Sequence, residues 1–121
     1  MTLGHTQHHR LDYLELGAPD LPRTKAFYAT VFGWRFTDYG PGYAAILDAN
    51  GAREVGGLDV GTTPSEGGPL VLVYSDDLDA TEAAIIAAGG RIVTPTFAFP
   101  GGRRFVFADP AGNRLGAWSR D

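Results

Sequence analysis

Two stretches of this 121-residue chain repeat one another. Set without a gap, "LELGAPDLPRTKAFYATVFGWRF" (14–36) lies over "VLVYSDDLDATEAAIIAAGGRIV" (71–93). Asp20 then falls on Asp77, Leu21 on Leu78, Thr24 on Thr81, Ala26 on Ala83 and Gly33 on Gly90. Apolar positions follow the same offset: Leu14 on Val71, Leu16 on Val73, Phe36 on Val93. A duplicated supersecondary unit constrains a fold strongly, because each copy has the same elements in the same order.

The elements can be read within each copy. Residues 11–17 alternate as a strand and stop at Ala18-Pro19, and a helix follows over about 21–32. Asp20 is placed to cap it, Pro22 suits its first turn and Gly33 ends it. Leu21, Ala26, Phe27, Val31 and Phe32 are the expected apolar face. "WRFTDY", "YAAILDA" and "EVGGLDV" read as three strands, divided by Gly40-Pro41-Gly42 and Asn50-Gly51. The second copy has a strand at 70–75, a helix over about 78–88 ended by Gly89-Gly90, and strands near 91–97, 103–108 and 113–119. Asp109-Pro110-Ala111-Gly112 forms the last turn. The expectation is an α+β fold of two βαβββ modules, about 10–61 and 70–120. A linker (62–69) joins them, and a flexible tail (1–9) precedes them.

Composition narrows the function classes. A formal net charge of −4 disfavours a nucleic-acid or anionic-membrane surface. No run of about 18 apolar residues spans a membrane, and "MTLGHTQHHR" lacks the apolar core of a secretory signal. With no cysteine there is neither a disulfide nor a thiolate metal site. A cytoplasmic location is the expectation.

Two segments, "LDYLELGAPDLPRTKAFYATVFGW" (11–34) and "FVFADPAGNRLGAWSR" (105–120), carry a family likeness. Together with the duplication they resemble the vicinal oxygen chelate superfamily of glyoxalases, bleomycin-resistance proteins and extradiol dioxygenases. The resemblance implies a cupped mixed sheet with helices outside it. It also implies a homodimer, with modules pairing within or between chains. Metal-dependent members carry His or Glu at four positions on the first and last strands of the modules. Here those positions are Tyr13, Leu70, Gly116, and Gly56 or Gly57 in "EVGGL". Such residues offer a divalent ion too few N or O donors, so no metal cofactor is expected at that centre. A displaced site on Glu15 and Glu54 is the alternative, against a rim charge for Glu54 and a ligand or backbone bond for Glu15. His5, His8 and His9 precede the first strand and read as a solvated tail.

Strand parity then sorts the side chains. Tyr13 and Glu15 share the inner face of the first strand, with Leu14 and Leu16 under the helix. Leu70, Leu72 and Tyr74 are their counterparts in the second module, and Gly116 and Trp118 share the inner parity of the last strand. Tyr43 and Phe105 (or Phe107) are further candidates. Arg103-Arg104, at a loop-to-strand junction, would meet an anionic substrate at the rim or, more simply, water. Aromatic and aliphatic walls with sparse polar groups are the makeup of a small-molecule site. No nucleophile–base set is visible among the serines, so Glu15 is the one candidate catalytic residue, as a lone general base. The expected function is small-molecule binding without a metal. The alternative is a glyoxalase- or dioxygenase-like enzyme.

Overall fold

Both helices begin with the same capping chemistry. The Asp20 carboxylate accepts from the Arg23 N–H at 3.2 Å, and the Asp77 carboxylate from the Ala80 N–H at 3.1 Å. Each caps a helix whose first residue, Leu21 or Leu78, is buried. Gly33, in the left-handed region at φ 70°, turns the chain out of the first helix. The identities Asp20/Asp77 and Leu21/Leu78 thus mark helix starts, whereas Gly33 ends the first helix and the second is capped at Ala88, two residues before Gly90.

The structure is a computed structural model and describes residues 8–120. Its order is β1 (Leu14–Gly17), α1 (Leu21–Phe32), β2 (Phe36–Asp38), β3 (Tyr43–Leu47) and β4 (Glu54–Asp59). Then come β5 (Val71–Tyr74), α2 (Leu78–Ala87), β6 (Arg91–Phe99), β7 (Gly102–Ala108) and β8 (Arg114–Ser119). Each βαβββ module forms its own four-stranded mixed sheet, in the orders β1-β4-β3-β2 and β5-β8-β7-β6. The first strand of each module runs parallel to the last, and the other pairs are antiparallel.

In the first module Leu16, Phe27, Tyr28, Ala44 and Leu58 are buried. The helix face differs from the one expected. Thr24 and Tyr28 are buried with Leu21 and Phe27, whereas Ala26 is exposed and Val31 and Phe32 are half-buried. Tyr28 wins its place by stacking on Trp34, with ring centroids 4.6 Å apart and planes 9° from parallel. Leu14, expected under the helix with Leu16, stays exposed. In the second module Leu78, Ile85, Phe105, Phe107 and Leu115 are buried.

The two modules divide between Pro64 and Ser65, inside the expected linker. Residues 62–64 pass so close to β1 that a methyl group on Gly17 would lie 2.6 Å from the Thr63 carbonyl carbon. Ser65 is held by the other module: its N–H donates to Asn113 Oδ1 and its carbonyl accepts from the Arg114 N–H, both at 2.9 Å. Asn113 is set in turn by Asp109. One Asp109 oxygen accepts from the N–H groups of Ala111, Gly112 and Asn113 at 2.9–3.0 Å, and the other accepts from Asn113 Nδ2 at 2.9 Å.

Candidate functional site

Register decides which side chains meet. In the first module Glu15 pairs with Gly57, and Gly57 with Ala45. Tyr43, two residues before Ala45, therefore rises on the face that carries Glu15. Gly57 has no side chain, and Tyr43 uses that space: a Cβ there would collide with the phenol oxygen. The phenol crosses β4 and donates to Glu15 Oε2 at 2.9 Å. Its single proton being spent, it accepts from the Tyr13 hydroxyl at 2.5 Å. Tyr13, Tyr43 and Glu15 thus form a directed relay, phenol to phenol to carboxylate. Burial first, then the bonds to Tyr13 and Glu15, push the Tyr43 phenol well above the ordinary tyrosine range.

A folded-state value above the unfolded one has a definite consequence. The relay's contribution to stability is fully present below about pH 10, the unfolded tyrosine value, and is lost as pH rises toward the folded value. Urea midpoints at pH 8 and pH 10.5 should fall further for the wild-type chain than for Tyr43→Phe. An equal fall would mean that the phenol is not held in its neutral form.

Glu54 is not the rim charge expected of it. It is buried, and Tyr39 donates its hydroxyl proton to Oε2, while Oε1 is buried with no hydrogen-bond partner. A register shift between Ile46 and Leu47 makes Glu54 the partner of Leu47, which parity counting along β4 misses. Glu54 lies three residues before Gly57, the partner of Glu15, so the relay does not include it.

In the second module Leu72 pairs with Gly116 and Tyr74 with Trp118. Leu70, Leu72 and Tyr74 are exposed, and Trp118 is half-buried. Trp118 meets Tyr74 edge to face at 5.0 Å and Phe99 at 6.2 Å. Phe105 does not belong with them. It pairs with Ala117 and is fully buried with Phe107, on the side of β7 opposite Arg104 and Val106. The residues that sequence reasoning missed on this face are Phe97 and Phe99, and Arg104, raised only as a rim or solvated residue, pairs with Trp118.

Register decides which glycine corresponds to the fourth position that the resemblance implies. Glu15 falls on Leu72 in the repeat, and their partners are Gly57 and Gly116, so these two glycines are counterparts. Phenol fills the space above Gly57, and Leu72 the space above Gly116. With Tyr13 and Leu70 at the other two positions, the donor set does not fit a divalent ion. No group of three or more His, Cys, Asp or Glu side chains able to hold a metal occurs among the described residues. His8 and His9 are exposed and stack on each other ahead of β1, and His5 lies outside the described residues.

The sequence model of the Glyoxalase/Bleomycin resistance protein/Dioxygenase superfamily matches residues 10–116. The chain is 31% identical over 126 residues to the anthracycline biosynthesis protein DnrV of Streptomyces peucetius, covering 89% of this chain and 46% of that one. It is 27% identical over 115 residues to CFP32 of Mycobacterium tuberculosis (strain CDC 1551 / Oshkosh), whose name marks it a candidate glyoxylase, covering 88% and 44%. The chain thus spans under half the length of these curated relatives. A glyoxalase/bleomycin resistance protein/dioxygenase family enzyme from Burkholderia phytofirmans PsJN shares the fold at a TM-score of 0.74. That match has 19% identity and covers 92% of this chain and 98% of the other.

Proposed function

This chain belongs to the Glyoxalase/Bleomycin resistance protein/Dioxygenase superfamily, and we propose that it is a small-molecule-binding member working without a metal centre. The observation that carries this reading is the pair of glycines, Gly57 and Gly116, with Tyr43 and Leu72 in the space above them. Where a metal-dependent member would carry donors, this chain has a phenol relay in one module and an apolar aromatic face in the other. Exposed Leu70, Leu72, Tyr74 and Phe97 favour a flat apolar ligand. In the first module, the relay of Tyr13, Tyr43 and Glu15 sets polar atoms on that module's own sheet. The relative named for anthracycline biosynthesis agrees with a planar polycyclic aromatic.

The partners in this reading are that ligand and a second copy of the chain. Edge strands at both ends of each sheet support association with a second copy. No helix among the described residues is long and apolar enough to cross a membrane. A cytoplasmic location completes the reading.

Tryptophan fluorescence tests it. The full chain, in buffer with excess chelator, is titrated with anthraquinone-2-carboxylate and anthraquinone-2-carboxamide. Saturable one-to-one quenching in the micromolar range by at least one probe is expected. Linear, unsaturable quenching by both would overturn the binding reading. The enzyme alternative, with Glu15 as lone base or a metal displaced onto Glu15 and Glu54, predicts instead turnover or a metal requirement.

A further inference from the structure

The second module's sheet carries a row of side chains whose chemistry is narrower than "aromatic". Phe97 pairs with Arg104, Arg104 with Trp118, and Trp118 with Tyr74. Directly opposed residues share a face, so one row crosses all four strands, from β6 to β5. Two guanidiniums lie over its rings. The Arg104 carbon is 5.2 Å from the centroids of both Phe97 and Phe99, and the Arg120 carbon is 5.1 Å from Tyr74 and 5.9 Å from Trp118.

Stacking on rings orients a guanidinium without using its N–H donors, which lie in its plane. Arg104 Nε is buried and has no hydrogen-bond acceptor. The salt bridge Lys25–Asp38 lies in the first module, and neither the Arg104 nor the Arg120 guanidinium forms one with a carboxylate among the described residues. Up to ten N–H donors therefore belong to two cations on one aromatic face, a count that follows from about five donors on each guanidinium. In a chain of net charge −4 this is a local reversal of sign. By register, Arg104 also stands where Tyr43 stands in the first module: Tyr43 is two residues before Ala45, the partner of Gly57, and Arg104 two before Val106, the partner of Gly116.

We propose that this face recognises planar aromatic ligands bearing an anionic oxygen group, a carboxylate or an acidic phenolate, with Arg104 and Arg120 as the charge-recognising pair. The inference rests on the binding reading above and adds the ligand's charge to it. A planar ring fits beside Trp118 and Tyr74. The face offers donors and positive charge, so a neutral ring would leave the two guanidiniums uncompensated, whereas an oxyanion in the plane of the ring meets their N–H groups bidentately.

The two probes named above differ in charge and hardly in shape. On the wild-type chain in low salt the carboxylate should bind roughly tenfold more tightly than the carboxamide, the scale of a charge-assisted hydrogen bond. Arg104→Gln should bring that ratio close to one, Arg104→Lys should keep part of it, and Arg120→Gln should reduce it less. Melting curves establish that each variant is folded. Equal affinity of both probes for the wild-type chain overturns the proposal, as does a ratio that survives Arg104→Gln and Arg120→Gln together. Binding of neither probe overturns the binding reading itself, a separate and distinguishable failure.

Discussion

Trp118→Ala is expected to weaken binding of anthraquinone-2-carboxylate by about a hundredfold, which corresponds to roughly 2.7 kcal/mol and is typical of a central aromatic anchor. Trp118 stands between Tyr74 and Arg104 in the row across the second sheet, and both Tyr74 and Phe99 meet its ring edge to face. It is also half-buried, so part of its ring is open to a ligand. Truncation removes the largest flat surface and leaves the Arg120 guanidinium with one ring in place of two. Calorimetric titration checks this, because the variant loses the tryptophan at the site. An affinity within threefold of wild type would place the ligand elsewhere.

The largest effect on stability is expected at Asp109. Its two oxygens take three backbone N–H groups and the Asn113 amide, and the residue is buried. Asn113, held this way, binds the Ser65 backbone at the start of the second module. Asp109→Ala removes four acceptor contacts at once and leaves buried donors with no partner. A loss of about 3 kcal/mol is expected, from two or three unsatisfied groups after partial rescue by water. Urea unfolding reads it as a lowered midpoint with an unchanged slope. Asp109→Asn retains an acceptor oxygen and should recover part of the loss. A midpoint unchanged in Asp109→Ala would mean that the turn is held by Pro110 and Gly112 alone.

These expectations rest on features of unequal visibility in the sequence. Helix starts were legible because capping is local: Asp20 and Asp77 sit three residues before the N–H groups they accept from. The shared side of Tyr13 and Glu15 was legible too, since they alternate along the chain with Leu14 and Leu16, and Tyr43 bonds to both. Tyr43 joined them only through register, and its partner in space is the gap at Gly57. Phe105 was misplaced for the same reason. Its side is set by pairing with Ala117, and nothing near Phe105 in sequence announces it. Glu54 was hidden by the shift beside Leu47. Arg104 looked like half of a solvated pair, because the rings that seat it, Phe97 and Phe99, come from another strand.

The metal positions follow the same logic. Three could be assigned from the repeat and from the spacing after Gly112, while the fourth needed the pairing of Glu15 with Gly57. Together they set the proposed reading: the superfamily's fold, with a phenol, a leucine and two glycines at the positions where the resemblance implies metal donors.

Elemental mass spectrometry tests that account most directly. The sample is the full chain, dialysed without chelator, beside a variant with His5, His8 and His9 replaced by alanine so that tail binding is separated from the domain. The account predicts less than about a tenth of an equivalent of any divalent metal in the variant, with probe affinity the same before and after chelator. Near one equivalent retained by the variant, or affinity lost on chelation, would contradict it and make Glu15 and Glu54 the first ligands to replace.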